Sequence, residues 1–372
     1  MGFERDGNTA RALPYPEPEF PDKGTEVSPS PAPEQPHHTV RLQRTDWVIA
    51  ALLTLSVGMA CLFIADMIPA FLLQSMDFWF ESDTVREVSN MTSTTDDHSR
   101  TSVHPLFSIL TFVPVYLVKH ALAIPPLQAV LYVTSILGGI WMGTLYLLLR
   151  LLGCRTLDAC IFTALGLSSA SAIFWLPVPN SYTWGSWSIM ISLALLLLAE
   201  QHRVGALSYV LASAFTLSIT VTNWMAGLLT TLARWPFKQA VQLSINAFCL
   251  VVLLWGAQKF IFPSAEFFIG SRKEANWINH PQSGQASNIA SSFAFHTFIA
   301  PAIRFIDDDG YIQVGDDSVR LAQRLAFQFS TPGSAGPLGL IAVCLWSALL
   351  LNGLWRLVTM DRQLRFRLVL AT

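Results

Sequence analysis

Long apolar runs separated by short polar segments fill this sequence from residue 47 onward. The strong runs cover residues 47–73, 127–149, 159–176, 184–198, 205–221, 239–262 and 337–357. A helix needs roughly 20 apolar residues to cross the roughly 30 Å of hydrocarbon in a bilayer, where it satisfies its own backbone polar groups. The sequence therefore predicts an all-α fold, a polytopic transmembrane helical bundle.

Composition and charge narrow the class of function. The chain is 52% hydrophobic and only 13% charged, with a formal net charge of -2. It has no long Lys/Arg block of the kind that binds nucleic acid phosphates, so nucleic acid is excluded as a partner. The long apolar runs make the lipid bilayer the expected partner. The cysteines lie inside apolar runs without CxxC or CxxH spacing, and we expect them to be packing residues: Cys61, Cys154, Cys160, Cys249 and Cys344.

Both ends of the chain differ from the membrane domain predicted over residues 45–359. Residues 1–39 contain eight prolines with scattered charges and few aliphatic side chains. Such a composition buries too little surface to offset chain entropy, so residues 1–44 are predicted to be a disordered, Pro-rich cytosolic tail. Residues 360–372 are expected to be a cytosolic segment in which a further, truncated span begins.

The distribution of cations predicts the topology. Cations, which favour the cytosolic side of membrane helices, cluster at Arg41 and Arg44, Arg150 and Arg155, His202 and Arg203, Arg234 and Lys238, and Arg356 to Arg367. All clusters face the cytosol if the weaker run 104–118 is a juxtamembrane helix and the weaker run 224–233 crosses. Residues 74–103 and 263–336 are then two large outer loops. In the alternative, 104–118 crosses and 224–233 does not, which moves Arg150 and Arg155 outside.

The first outer loop is rich in titratable residues, and part of it has helical spacing. Its polar side chains recur at i, i+3, i+4 and i+7, and its apolar ones lie on the other side: Asp83, Arg86, Glu87 and Asn90 against Val85, Val88 and Met91. This pattern predicts an amphipathic helix along the membrane surface, with its charges turned to water or to a site. A solvated connector is the alternative for a charge-rich loop.

The same loop contains candidates for binding an anion. Pro105 predicts a helix start at His104, where free amides and the helix dipole would face an anion. Arg86, His98, Arg100 and His104 could then bind a phosphate, and Asp83 could serve as a general base. A helix cap or an interfacial histidine is the alternative for His104. The E-x-D spacing of Glu81 and Asp83 could hold a divalent Mg or Mn ion, although this short pattern is a weak signal.

These residues resemble the first outer loop of a known superfamily. Phe80-Glu81-Ser82-Asp83 after the first span, then Arg86, His98, Arg100 and His104-Pro105-Leu106-Phe107, are similar to polytopic glycosyltransferases of the GT-C superfamily. That superfamily includes protein mannosyltransferases and aminoarabinose transferases. Here Ser82 separates the two acids, and Leu106 replaces a second proline. Metal dependence is therefore left open.

The resemblance implies a GT-C-like fold and an enzyme of the membrane. It implies transfer of a sugar from a polyprenyl-phosphate-linked donor to an unknown glycan, lipid or protein acceptor at the outer membrane face, with inversion. Asp83 would match the acidic catalytic residue, His104 the polar residue near the donor phosphate and Arg86 a basic residue after the acidic motif. The expected location is a bacterial inner membrane, with a cytosolic N-terminus.

Further contacts and a different function class remain open. Asp96, Asp97, His280 and Asp308 are candidates for contacts with donor or acceptor. The run around Asp308 is also an ordinary turn signal flanking a short strand over 311–314. The alternative function is a non-enzymatic transporter or lipid-binding scaffold. Transporters place ionisable groups at mid-membrane, and this chain has few within its spans, chiefly Asp66 and Asp158 near their ends.

Overall fold

A computed structural model describes residues 42–68, 70, 73, 83–269, 310–314, 317–321 and 337–359, and all structural statements below concern these residues. They are mainly helical. The α-helices are α1 (Arg44–Met67), α2 (Thr84–Thr92), α3 (Phe107–Leu122), α4 (Pro126–Leu151), α5 (Thr156–Leu167), α6 (Ala170–Trp175), α7 (Ser181–Gln201), α8 (Ala206–Ile219), α9 (Trp224–Arg234), α10 (Phe237–Ile261) and α11 (Pro337–Thr359). A 3-10 helix covers Ser99–Ser102.

Four helices in the described part of the chain are long and apolar enough to cross a membrane. They are α1, α4, the Ser181–Glu200 part of α7, and α10. The prediction of a helical membrane protein is confirmed at this level. The runs at 159–176 and 205–221 form shorter helices than expected.

The run at 159–176 is interrupted by a helix cap. The Ser169 hydroxyl accepts a hydrogen bond from the Ala172 N–H and starts α6, so the run is divided between α5 and α6. At 1.5 Å per residue, the 12 residues of α5 extend about 18 Å. The 14 residues of α8 extend about 21 Å. Neither helix alone spans a hydrocarbon core of about 30 Å.

Helices α1 and α4 pack closely and antiparallel. A Cβ added at Gly139 would lie 2.1 Å from the carbonyl oxygen of Thr54, and one at Gly143 would lie 2.3 Å from the Thr54 hydroxyl. Glycine at these positions lets the two backbones approach, as small residues do between membrane helices. The start of α1 is fixed to the end of α4, because the Arg150 Nε donates to the Asp46 Oδ1 at 2.7 Å.

Helix α3 begins and ends at the same end of the bundle. It starts after Leu106, whose N–H donates to the carbonyl of Ser218 near the end of α8. It ends just before α4, where Leu127 packs with Ile68 beyond the end of α1. Along its length, Val115 packs in one cluster with residues of α2 and α4. Whether 104–118 or 224–233 crosses the membrane stays a prediction.

Helix α9, with 11 residues, extends about 17 Å from the end of the bundle at which α8 finishes. It starts at Trp224, next to Val221, whose N–H donates to the carbonyl of Val103. The 25-residue α10 then returns to Phe262, whose ring lies 4.5 Å from that of His98. We call the end that carries residues 83–106, 176–182, 219–223 and 262–268 the loop end.

The segment after α10 is fixed to the first loop. The Ser264 hydroxyl donates to the carbonyl of Asp96, and the His98 N–H donates to the Ser264 oxygen at 3.0 Å. The Thr101 hydroxyl donates to the carbonyl of Glu266 at 2.8 Å and accepts from its N–H at 2.7 Å. The end of the first predicted outer loop and the beginning of the second therefore lie together.

A two-stranded antiparallel hairpin interrupts the helical pattern. Strands β1 (Gly310–Val314) and β2 (Asp317–Leu321) pair with Tyr311 opposite Arg320. The short strand expected over 311–314 is confirmed, and the all-α prediction is corrected to a helical chain with one hairpin among the described residues.

Candidate functional site

Helix α2 brings charged side chains to the loop end. Asp83 is its N-cap residue, and the apolar face carries Val88 and Met91 into the cluster with α3 and α4. The amphipathic helix is therefore confirmed. Its polar face also lies inside the protein, since Glu87 is 4% exposed and Asn90 is 3% exposed. A polar face that is buried in this way needs partners from the protein or from a ligand.

A polar cavity of about 210 Å³ lies beside this face. Four residues selected from the sequence line it together: Asp83, Arg86, Arg100 and His104. The remaining lining residues are Thr84, Glu87, Val103, Pro179, Asn180, Ser181 and Tyr182. The first loop thus meets the turn between α6 and α7.

Arg86 connects two carboxylates in this cavity. Its Nη2 forms an ion pair with Asp83 and lies 3.7 Å from the Glu87 Oε1. The Asp83 side chain is 54% exposed, whereas that of Glu87 is 5% exposed. The two acids are therefore different in kind, with Asp83 open to solvent and Glu87 enclosed.

Glu87 is a site residue that the sequence analysis did not select. Burial raises the pKa of its carboxyl to about 7; Asp83 adds to the shift, whereas Arg86, a hydrogen bond from Ser181 and Arg100 oppose it. Its Oε2 is buried without a hydrogen-bond partner among the described residues. The available signal was its place on the helical row of Asp83 and Arg86.

His104 lines the cavity as a neutral ring. Its Nδ1 lies 2.8 Å from the carbonyl oxygen of Ile219 and 3.1 Å from the Thr220 hydroxyl. A carbonyl only accepts, so Nδ1 carries the proton and Nε2 keeps a lone pair. Burial, together with Arg86 and Arg100, lowers the pKa of His104 to about 4, although the hydrogen bond to Ile219 and the charge of Asp83 oppose this shift. In this tautomer the Nε2 of the ring is an acceptor, and the place of His104 near a donor phosphate stays a prediction.

The backbone at the start of α3 is also less available to an anion than expected. The N–H of Leu106 donates to Ser218, and that of Phe107 donates to the carbonyl of His104. The N–H of Ile109 donates to the Oε1 of Gln258, a buried residue of α10. Binding of an anion by these three amides is excluded while the protein occupies them.

His98 does not line the cavity. Its ring is fully buried, with Nε2 3.1 Å from the carbonyl of Ser93 and Nδ1 2.8 Å from the Ser108 hydroxyl. Nε2 therefore donates to the carbonyl and Nδ1 accepts from the hydroxyl, and burial lowers the pKa of the ring. The assignment of His98 to the donor phosphate is corrected: it fixes the loop between α2 and α3.

Asp96 and Asp97 lie on the loop and shape it. The Ser89 hydroxyl donates to Asp96 at 2.5 Å, and Asp97 accepts from the N–H of Ser99 at 2.9 Å. Neither lines the cavity. Glu81, His280 and Asp308 lie outside the described residues. Within the described ranges, no group of three or more His, Cys, Asp or Glu side chains could hold a metal ion.

The turn before α7 completes the cavity wall. Asn180 donates from Nδ2 to the carbonyls of Trp175 and Val178, and its Oδ1 accepts from the Thr183 N–H at 2.8 Å. This N-cap fixes Ser181 and Tyr182 beside Glu87. No spacing pattern in the sequence connects this turn with the first loop.

No protein-family model, curated protein or solved structure matches the chain.

Proposed function

We propose that this chain is a membrane glycosyltransferase of GT-C type, which moves a sugar from a polyprenyl-phosphate donor to an acceptor at the outer membrane face. The observation that carries the proposal is the convergence of Asp83, Arg86, Arg100 and His104 on one cavity. The sequence predicts this chemistry for these residues from their place in the first loop and from the resemblance to the superfamily. A solvated connector has no reason to bring them together with a second, buried carboxyl at Glu87.

Arg86 and Arg100 are the residues suited to the donor phosphate. When the bond between the anomeric carbon and the phosphate oxygen breaks, negative charge develops on the leaving phosphate. Guanidinium groups stabilise such charge more strongly in a partly enclosed cavity than in water. The cavity, at about 210 Å³, is smaller than the roughly 300 Å³ at which pockets for drug-sized ligands begin. It suits the head group of a lipid-linked sugar, with the lipid chain in the bilayer.

Asp83 is the residue suited to take the acceptor's proton. It is the more exposed of the two acids, so an acceptor hydroxyl approaching from outside can reach it. In one-step inversion the phosphate leaves without a protonating acid, so one base suffices and the paired carboxylates of glycosidases are not required.

The distribution of cations supports an outward cavity. Arg150 lies in the last turn of α4 and Arg155 just after it, Arg203 lies between α7 and α8, and Lys238 lies in the first turn of α10. These positions are at the end of the bundle opposite the loop end. Under the positive-inside rule they face the cytosol, which orients the cavity outward.

The test uses the purified full chain in lipid nanodiscs. Polyprenyl phosphates carrying radiolabelled sugars are supplied with a mixture of extracted lipid and glycan acceptors, and release of polyprenyl phosphate is measured. We expect release that depends on acceptor and is lost in Arg100→Gln but not in Arg203→Gln, an exposed arginine at the other end. Binding of the lipid without any release over a full panel of sugars would favour the non-enzymatic lipid-binding alternative.

A further inference from the structure

Helix α10 has a buried side and an exposed side. The buried side packs against α8 and the start of α3 through Ala247, Val251 and Gln258. Spacings that alternate between three and four positions keep a row of side chains on one face of a helix, in the heptad pattern of a coiled coil. On the side opposite to the buried residues, six exposed residues follow at spacings of 3, 4, 3, 4 and 7 and are called the α10 row here: Gln239, Gln242, Asn246, Cys249, Leu253 and Phe260.

Asn246 of this row lies deep in the span. Lys238 and Lys259 are 21 positions apart, which corresponds to about 32 Å of helix and matches a hydrocarbon core of about 30 Å. Asn246 follows Lys238 by 8 positions, or about 12 Å. It is therefore within about 4 Å of the middle of this span. Among the described residues, the side chains of Gln242 and Asn246 have no hydrogen-bond partner.

An amide at this depth is unsuited to contact with lipid. Lipid tails offer no hydrogen-bond partner, so an unpaired amide among them costs free energy. The exposed face of α1 has no amide at mid-span, and its large exposed side chains there are apolar: Leu52, Leu55, Met59 and Phe63. Asn and Gln side chains in spans typically hydrogen-bond to a neighbouring helix. The α10 row therefore indicates a second helix packed against α10.

We propose that two copies of the chain associate through the α10 row, side by side in the membrane, so that each residue of the row faces its counterpart in the other copy. Both copies insert in the same orientation, so their α10 helices run parallel, and a two-fold axis along the membrane normal relates them. The heptad spacing gives this parallel pair a left-handed crossing. The proposal concerns assembly and is independent of the reaction at the cavity.

The chemistry of the row favours a second copy over a different partner. A group at a two-fold axis must bond to an identical group, which two carboxylates or two ammonium groups do not do. An amide does so, because it has N–H donors and a carbonyl acceptor. Asn in a heptad row is also a residue that fixes the register and the number of strands in parallel coiled coils. With Asn246 paired to its counterpart, Gln242 and Cys249 on either side meet their own counterparts as well.

The native Cys249 makes this contact measurable. The full chain, with Cys154, Cys160 and Cys344 replaced by Ala, is reconstituted in lipid vesicles and oxidised with copper phenanthroline. We expect a dimer linked through Cys249 that persists as the vesicles are diluted with lipid, because a disulfide needs Cα atoms within about 7 Å of each other.

The position of the cysteine supplies a matched control. In a chain that also carries Cys249→Ala, we expect Leu253→Cys to form the linked dimer, because Leu253 belongs to the row. Leu254→Cys should not form it, although Leu254 is 45% exposed, because this neighbour points away from the row. Equal cross-linking at both positions would reflect random encounters and would overturn the proposal.

A second variant tests the amide itself. Asn246→Leu nearly preserves the volume of the side chain but removes its hydrogen bonds. One interhelical hydrogen bond in a membrane corresponds to a change of about 3- to 30-fold in the dissociation constant. We expect Asn246→Leu to raise the dissociation constant of the dimer by this factor, measured by energy transfer between separately labelled copies over a series of lipid dilutions. The control is Asn352→Leu, which changes an exposed amide of α11 and should leave the dissociation constant unchanged.

Three further results would each overturn the proposal. An unchanged dissociation constant in Asn246→Leu would move the contact to another surface. A monomer joined internally between Cys249 and Cys344, in the chain that retains both, would assign the α10 row to α11. A chain that stays monomeric at every lipid dilution would exclude the dimer. The melting temperature of Asn246→Leu should equal that of the wild-type monomer, since the side chain is exposed in a single copy.

Discussion

The carboxylate of Asp46 and the guanidinium of Arg150 form a buried ion pair between α1 and α4, with the Arg150 Nε 2.7 Å from the Asp46 Oδ1. The Tyr146 hydroxyl donates to the same carboxylate at 3.1 Å. Asp46 is fully buried, and Arg150 is 7% exposed. The pair joins the start of α1 to the end of α4, at the end of the bundle opposite the cavity. It thereby fixes how these two helices pack, and so where α1 ends before the first loop.

Removing one partner of this pair should unfold the chain more easily. Asp46→Asn leaves the Arg150 charge buried without its counter-ion, which costs about 3–5 kcal/mol, whereas Tyr146→Phe removes one hydrogen bond at about 1 kcal/mol. The free energy of unfolding in detergent measures both. The control is Arg44→Gln, which changes an exposed residue two positions before Asp46. Wild-type stability in Asp46→Asn would mean that the pair does not join the helices.

Glu87 predicts a pH dependence of stability. Its pKa is raised from 4.5 to about 7 on folding, so the folded state binds its proton more tightly than the unfolded state. The stabilisation of the folded state that comes from protonating Glu87 is then fully present below about pH 4.5. It is lost as the pH rises through about 7. Because Gln resembles the protonated acid, Glu87→Gln should melt at a higher temperature than wild type at pH 8, with a smaller difference at pH 5.

The comparison with wild type at each pH removes the contribution of other titrating groups, including His98 and His104. Glu200→Gln, which changes an exposed acid away from the cavity, is the matched control. A difference for Glu87→Gln that is constant between pH 5 and pH 8 would show that this carboxyl is not perturbed. Higher stability together with a lower rate of transfer is the pattern expected of a residue kept for function.

The orientation of the loop end can be tested by labelling. We expect a cysteine at Asp96 to react with an impermeant maleimide from the outer side only, and a cysteine at Arg203 from the cytosolic side only. The exposed Cys249 and Cys344 are first replaced by Ala. Labelling of Asp96→Cys from the cytosol alone would reverse the orientation, and labelling of both positions from one side would contradict the arrangement of the helices between them, α3 to α7.

The helical row of Asp83 and Arg86 could be predicted from the sequence, because a 3.6-residue period is visible without tertiary structure. The break at Ser169 could not be predicted from the sequence, since a single capping hydroxyl does not stand out within an apolar run. The two histidines could not be distinguished for a physical reason: the groups that decide their roles lie elsewhere in the chain. The partner of His104 is Ile219, which is 115 positions away. His98 is enclosed partly by Phe262 of the segment after α10.

The central claim is that the protein transfers a sugar at this cavity with Asp83 as the base. The rate of sugar transfer by the Asp83→Asn variant tests this claim most directly. Transfer from the polyprenyl-phosphate donor that the release assay selects is measured for wild type, Asp83→Asn and Asp158→Asn. Asp158 is an exposed acid in the first turn of α5. We predict a loss of about 10²- to 10⁴-fold in Asp83→Asn, and a wild-type rate in Asp158→Asn. The stability of Asp83→Asn should move by less than about 0.5 kcal/mol, because its side chain is half exposed and leaves no cavity. A wild-type rate in Asp83→Asn, or a loss that is matched by a lowered melting temperature, would contradict the claim.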